Sequence, residues 1–190
     1  MDLNNIGCVI MASGIGRRFG SNKLMADFHG EPMIARILAA TANIPRRVVV
    51  TRHEDVAEFC RSKGATVVIH ELPYQNDTVR LGLESLAGVK LCMFCPGDQP
   101  LLTADTVNAL ICSALEEPDR IWRTNHKGEP SSPVVFPEWA FDELLALPED
   151  KGGGFVIKKH PEQVRLLPVR DAYELMDADT PEELQKLLEH

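Results

Sequence analysis

The sequence predicts an α/β fold, a single domain of three αβα layers with helices on both faces of an open, mostly parallel sheet. Three observations carry this expectation. Short apolar or β-branched runs alternate with stretches of helical period along the chain. No repeat, low-complexity tract or long linker divides the 190 residues, so one core is expected across 1–190. Turns rich in glycine or bearing aspartate follow the first and fourth apolar runs, and sheets of this class bind ligands beyond the carboxyl ends of their strands.

Each element has a local reason. Ile6–Met11 is a continuous apolar run, the pattern of a strand buried on both faces. A helix is expected from Pro32, because proline suits the first helical turn. Arg47–Thr51 is the second strand, and the amphipathic stretch Glu54–Lys63 is a helix that Gly64 ends. Thr66–His70 is the third strand. Asp77–Leu86 reads as a helix with Val79, Leu83 and Leu86 at helical spacing. Leu91–Cys95 is the fourth strand, and Thr103 caps a helix running to Leu115. Arg120–Arg123 and Val134–Phe136 are shorter strands around a turn at Gly128. A helix over Glu138–Ala146, a glycine-rich loop and a strand at Val164–Val169 follow. The last helix opens at Thr180-Pro181-Glu182-Glu183, with a capping residue before proline and acids in the first turn.

Composition narrows the function classes. A net charge of -8 disfavours a nucleic-acid partner. No apolar run approaches the roughly 18 residues of a membrane span, and Met1–Asn5 lacks the basic flank of a signal peptide. A cytoplasmic protein is expected. Leu188-Glu189-His190 could derive from an expression tag. Five cysteines form an odd set without framework spacing. Cys92 and Cys95 are spaced as C-x-x-C, but positions three apart on a strand face opposite sides of the sheet, so structural thiols are expected there.

The chemistry concentrates in Met11–Leu24. Gly14, Gly16 and Gly20 allow a tight turn that presents backbone N–H groups to an anion, and Arg17, Arg18 and Lys23 add positive charge to the same loop. A flexible cationic turn after an early strand suits a polyphosphate. Two common nucleotide motifs are excluded. The dinucleotide fingerprint needs glycine at position 19, where Phe19 stands, and an acid after the second strand, where Arg52 and His53 stand. Gly20-Ser21-Asn22-Lys23 lacks the Gly-Lys-Ser/Thr of a P-loop.

Met11-Ala12-Ser13-Gly14-x-Gly16-x-Arg18-Phe19-Gly20-x-x-Lys23-Leu24 instead resembles the L-A-A-G-x-S-x-R-M-G-x-x-K-L signature of the molybdenum-cofactor nucleotidyltransferases, the MocA/MobA-like family. Gly16 stands where that pattern has serine. Cys95-Pro96-Gly97-Asp98-Gln99-Pro100 is similar to the family's G-D-Q-P segment, and Met176-Asp177-Ala178-Asp179-Thr180-Pro181-Glu182 to its D-I-D-T-P-E. Three further segments match less closely. Asn76–Leu83 corresponds to a stretch ending S-L-R-x-G-L and keeps Arg80 and Gly82. Gly128–Pro133 corresponds to G-x-x-G-H-P, with Ser132 where histidine is usual. Pro148–Gly152 keeps Asp150 and Gly152 of G-D-x-G.

The resemblance implies a nucleotide-diphospho-sugar-transferase type of Rossmann-like sheet and a nucleotidyl transfer. It places the nucleotide against Ala12, Ser13, Gly14, Gly16, Arg18, Gly20, Lys23, Arg80 and Gly97. It implies Arg18, Lys23 and Asp98 as the catalytic residues, with Asp98 and Asp179 as ligands of Mg²⁺ (or Mn²⁺) and Asp177 in support. The acceptor is implied to lie against Asp77, Arg80, Ser132, Asp150 and Gly152. Mg²⁺ suits such a site because it takes one or two carboxylates and completes its shell with phosphates and water.

Within the family, L-A-A-G accompanies CTP and L-A-G-G accompanies GTP. Ser13 occupies the discriminating position, where a side chain crowds the wider purine, so CTP is favoured. The expected reaction transfers CMP from CTP to the terminal phosphate of molybdopterin, giving molybdopterin cytosine dinucleotide and pyrophosphate. The partners so implied are the two small-molecule substrates and a molybdenum hydroxylase or its maturation factor. The alternatives are a cytidylyltransferase acting on a phosphorylated sugar or alcohol, a GTP-using guanylyltransferase of the same family, and a non-catalytic cofactor carrier.

Overall fold

The computed structural model describes residues 3–14, 16 and 18–190. Arg17, one of the cations expected in the first loop, lies outside the described residues, as do Met1, Asp2 and Ile15.

The strands are β1 (Ile6–Ala12), β2 (Asp27–Phe28), β3 (Glu31–Pro32), β4 (Arg46–Thr51), β5 (Thr66–Ile69), β6 (Leu91–Pro96), β7 (Ile121–His126), β8 (Glu129–Pro137) and β9 (Val164–Pro168). The helices are α1 (Ile34–Ala40), α2 (Glu54–Ser62), α3 (Gln75–Glu84), α4 (Ala104–Glu116), α5 (Phe141–Leu145), α6 (Gly154–Lys159) and α7 (Pro181–Leu188). Seven strands form one sheet in the order β5-β4-β1-β6-β8-β7-β9, while β2 and β3 make a separate hairpin. Strand β8 pairs antiparallel with β6 and β7; the other pairings in the sheet are parallel.

Two apolar layers sandwich the sheet, and the alternation of side chains along each strand decides which layer each residue enters. Cys8 and Ile10 of β1 and Met93 and Cys95 of β6 face the layer that includes Ile34, Val56, Leu110 and Leu187 of α1, α2, α4 and α7. Val9 of β1 and Cys92 and Phe94 of β6 face the other, with Val79 and Leu83 of α3, Leu144 of α5 and Val156 of α6. Cys92 and Cys95 therefore stand on opposite faces, as their spacing on a strand requires. All five cysteines are free thiols. Burial pushes the Cys8, Cys92 and Cys95 thiols far up, and that of Cys60 up to about 11, so these four are inert.

Helix α3 comes close to the sheet at Gly82, where a Cβ would stand 2.4 Å from Val9 Cγ1 and 2.8 Å from Val9 Cγ2. Only glycine lets α3 lie so near β1. Both expected N-caps are in place: Thr103 Oγ1 accepts from Thr106 N at 3.2 Å, and Thr180 Oγ1 from Glu183 N at 3.1 Å. The Glu183 carboxylate returns a bond to Thr180 N at 2.9 Å, completing a capping box at the start of α7.

Several boundaries differ from the sequence expectations. Pro32 belongs to β3, and α1 begins at Ile34. The cause is a two-residue turn at His29 (φ 56°) and Gly30 (φ 88°), tied by Gly30 N donating to Asp27 Oδ1 at 3.0 Å. The helix expected over Glu138–Ala146 divides into a 3₁₀ turn at Glu138–Ala140 and the short α5. The glycine-rich stretch after it opens α6, which the sequence did not suggest. Gly153 is pressed against Phe136, where a Cβ would meet the ring at 2.8 Å, so these glycines serve a close approach as well as a turn. Among the described residues, no helix is long and apolar enough to cross a membrane.

Candidate active site

The sheet order reverses at its centre. From β1 the chain proceeds outward through β4 and β5, then crosses back to β6 on the other side of β1. Such a reversal opens a crevice beyond the carboxyl ends of the strands. Here a cavity of about 730 Å³ lies there, bounded by the loop after β1, the turn after β6, the start of α3 and the Lys151–Gly154 segment.

The loop after β1 is built on its glycines. Gly16 sits at φ 62°, and its carbonyl accepts from Phe19 N at 2.9 Å and Gly20 N at 3.3 Å. A Cβ at Gly16 would come 3.0 Å from Ser21 O. The left-handed backbone and this contact both disfavour a serine, the residue the family pattern has at this position. The His53 ring donates from Nε2 to Gly14 O at 2.9 Å, and Asn22 donates to both Asp55 carboxylate oxygens at 2.8 and 3.0 Å, fastening the loop to α2. Asn22 also caps the 3₁₀ turn Lys23–Met25, accepting from Leu24 N at 3.3 Å. That turn points Lys23 inward.

Lys23 is buried, and its Nζ donates to Asp98 Oδ2 and, at 2.6 Å, to Asp179 Oδ1. Arg18 reaches the other oxygen of Asp179. The two acidic segments are held together by Ala178 N donating to Asp98 O at 2.9 Å, and Gln99 Nε2 holds Leu175 O at 3.2 Å. Burial opposes the charge on Lys23, but Asp98 and Asp179 outweigh it and hold the amine above its ordinary value. The Lys23 hydrogen bond, with help from Arg18, holds Asp179 below the usual carboxylate range. Asp177 goes the other way. Loss of water around its carboxyl, then the charges of Asp98 and Asp179, push it up to about 6 although the residue as a whole is exposed.

Two carboxylates converging on one cation form a donor set suited to a hard divalent ion, with the Lys23 ammonium standing at the point of convergence. Among the described residues, no group of three or more His, Cys, Asp or Glu makes a closed metal cage. Two carboxylates with room for phosphate oxygens and water are what Mg²⁺ accepts at nucleotide sites. The residues present therefore fit such an ion.

The cavity brings together Ser13, Gly14, Gly16, Arg18, Lys23, Asp98, Ser132, Asp150, Gly152 and Asp179. Ala12 lies beneath it, buried, with its carbonyl accepting from Thr51 Oγ1 at 2.9 Å. Gly20 and Gly97 shape the backbone without lining the space. Gly97 passes so close to β1 that a Cβ would stand 3.1 Å from Met11 O. Asp77 and Arg80 are not brought to the cavity wall. Gln75, Thr78 and Val79 form the face of α3 that lines it, and the helical period turns residues 77 and 80 aside. Asp77 accepts from Tyr74 N at 3.2 Å, and Arg80 pairs with Glu84 at 3.3 Å.

Other lining residues were not singled out from the sequence. Arg52 follows β4, and Lys151 and Lys158 line the cavity together with Phe94, Phe136 and Phe155. Lysines in a loop and on a short helix carry no periodic signature, and only the packing of α6 against β8 brings them inward.

Known proteins resemble this chain. The chain is 33% identical over 93 residues to the 3-deoxy-manno-octulosonate cytidylyltransferase of Neisseria gonorrhoeae, a match covering 45% of this chain and 36% of that protein. It thus spans about a third of that relative's length. It is 28% identical over 192 residues to the purine catabolism protein PucB of Bacillus subtilis, covering 92% of both. The crystal structure of Rv0371C of Mycobacterium tuberculosis in complex with manganese superposes with a TM-score of 0.78 at 22% identity, covering 97% of this chain and 98% of that one. Residues 8–164 match the MobA-like NTP transferase domain, and the chain belongs to that family.

Proposed function

We propose that the chain transfers CMP from CTP to the terminal phosphate of molybdopterin, releasing pyrophosphate. The observation that carries nucleotidyl transfer is Lys23, buried between Asp98 and Asp179 at the cavity that Gly14 and Gly16 also line. The nucleophile is an acceptor phosphate oxygen, already anionic, so no strong general base is required. It attacks the α-phosphorus in line, the bond to the bridging oxygen breaks, and its electron pair leaves with pyrophosphate. Lys23 and Arg18 neutralise the triphosphate, while the backbone at Gly14 and Gly16 leaves room for it to lie along the loop. Mg²⁺, or Mn²⁺ in its place, would be held by Asp98 and Asp179 and supplies further neutralisation of phosphate charge when bound.

The base and the acceptor rest on separate supports. Ser13 lines the cavity at the end of β1, where on this reading its side chain leaves less space for a purine, and a relative is named as a cytidylyltransferase. Three phenylalanines, Phe94, Phe136 and Phe155, with Lys151 and Lys158 beside them, make a wall suited to a flat, anionic acceptor such as a pterin phosphate. The second reading, cytidylyl transfer to a sugar-derived acceptor, is favoured by the sugar acid in the Neisseria relative's name.

Pyrophosphate release measured with CTP or GTP, Mg²⁺ and either molybdopterin or a phosphorylated sugar separates these. CTP with molybdopterin should turn over fastest. Equal turnover of GTP defeats the base assignment, and preference for a sugar phosphate defeats the acceptor. Dinucleotide binding without pyrophosphate release would make the protein a carrier.

A further inference from the structure

On the side of β1 away from Lys23, a directed chain of hydrogen bonds joins three strands to the first residue of the loop. Ser13 Oγ lies 3.1 Å from Val50 O and 2.9 Å from His70 Nε2. A carbonyl only accepts, so the Ser13 hydroxyl donates to Val50, and His70 Nε2 must carry the proton it gives to Ser13. At the other side of the ring, Leu72 N donates to His70 Nδ1 at 3.2 Å, which requires a bare Nδ1. One species satisfies both contacts, the neutral imidazole protonated on Nε2. Thr78 Oγ1, 3.5 Å from Nε2, stands at the outer limit of a bond.

With its proton committed to β4 and a lone pair to His70, Ser13 presents fixed bulk to the cavity rather than a free hydroxyl. A serine released from these partners has three rotamers and can offer either a donor or an acceptor to any base. We propose that His70 is a positioning residue for nucleotide selection, holding Ser13 as a steric gate at the base end of the cavity. This rests on the reading that Ser13 meets the base. His70 itself need not touch the nucleotide.

The surroundings favour the neutral ring. Burial and the Arg52 charge, with Arg80 adding to them, hold His70 below its ordinary value, while the charge of Asp77 opposes the shift. Protonation would put an N–H on Nδ1 facing the Leu72 N–H, so the gate should loosen as pH falls through the His70 titration.

The test is CTP and GTP binding by calorimetry on the full chain, without acceptor, between pH 5 and 8. His70→Gln keeps an amide donor at the position of Nε2, and His70→Asn reaches only the Leu72 side. His70→Gln should bind CTP like the wild type and lose its pH dependence. His70→Asn should weaken CTP about three- to tenfold, the worth of one hydrogen bond, and narrow the preference over GTP. Equal behaviour of the two variants and the wild type, or identical pH profiles, overturns the proposal. A wild type that prefers GTP overturns the role given to Ser13, while the Gln/Asn difference with GTP still decides the role of His70. Failure to bind either nucleotide overturns both.

Discussion

Lys23 Nζ joins Asp98 to Asp179, residues 75 and 156 positions further along the chain. One ammonium thus stands where the carboxylates of two separate segments converge, and any divalent ion binding there must share or replace it. Lys23→Met should therefore raise the affinity for Mn²⁺ in the absence of nucleotide, read by paramagnetic resonance, because two carboxylates are left without their cation. The same substitution should lower nucleotidyl transfer by on the order of 10²-fold or more, as should Asp98→Ala. Unchanged Mn²⁺ affinity in Lys23→Met would mean that the ion does not use this pair.

Asp177 makes the pH dependence of stability specific. Its folded-state pKa, about 6, lies above the ordinary aspartate value of about 4. Ionisation therefore costs the folded state once the pH passes about 6, and the cost disappears below about 4. Asp177→Asn should raise Tm at pH 7.5 and leave it unchanged at pH 3.5. Solvent screening of this exposed residue limits the gain to about 1 kcal/mol, roughly 2–4 °C. A fall in Tm at pH 7.5 would mean that the carboxylate stabilises the fold.

The loop glycines should differ in tolerance. Gly16→Ser restores the family's usual residue yet places a side chain at φ 62° and 3.0 Å from Ser21 O. The expected cost is about 1–2 kcal/mol of stability with a raised KM for nucleotide. Gly14→Ala meets no atom of the described residues beyond its chain neighbours within 4 Å of the added carbon, so its Tm should match the wild type. Thermal melts of the two variants side by side check the contrast.

Gly82→Ala drives a methyl into Val9, and overpacking of this kind costs about 1–3 kcal/mol. Adding Val9→Ala should recover part of that loss, because it removes the two methyl carbons in conflict. A double-mutant cycle by urea denaturation measures the coupling; strictly additive losses would show that α3 moves away from the sheet instead.

The legible part of this protein is local. The apolar run Ile6–Met11, the caps Thr103 and Thr180 and the glycines after β1 each act through neighbours within a few residues, and each stands where the residue pattern put it. The acidic turn at Asp98 was also readable, because a sheet of alternating strands and helices has a ligand-bearing edge whatever its strand order. Pro32 was misleading for the opposite reason. Its preference for a first helical turn lost to a His29-Gly30 hairpin that shows no strong turn signature.

What local pattern could not reveal depends on which strands become neighbours. The antiparallel insertion of β8 beside β6 and the swing of α6 over the crevice place Lys151 and Lys158 at the cavity. The pairing of Ser13 with His70 across β4 needs the order β5-β4-β1. The union of Asp98 and Asp179 on Lys23 goes with Ala178 bonding Asp98 across 80 positions of chain. Propensity and periodicity act over one or two turns of chain, so they set the elements and their ends. Contacts between residues 57 to 156 positions apart arise only when those elements pack, and these contacts turn a glycine-rich loop and scattered acids into one site.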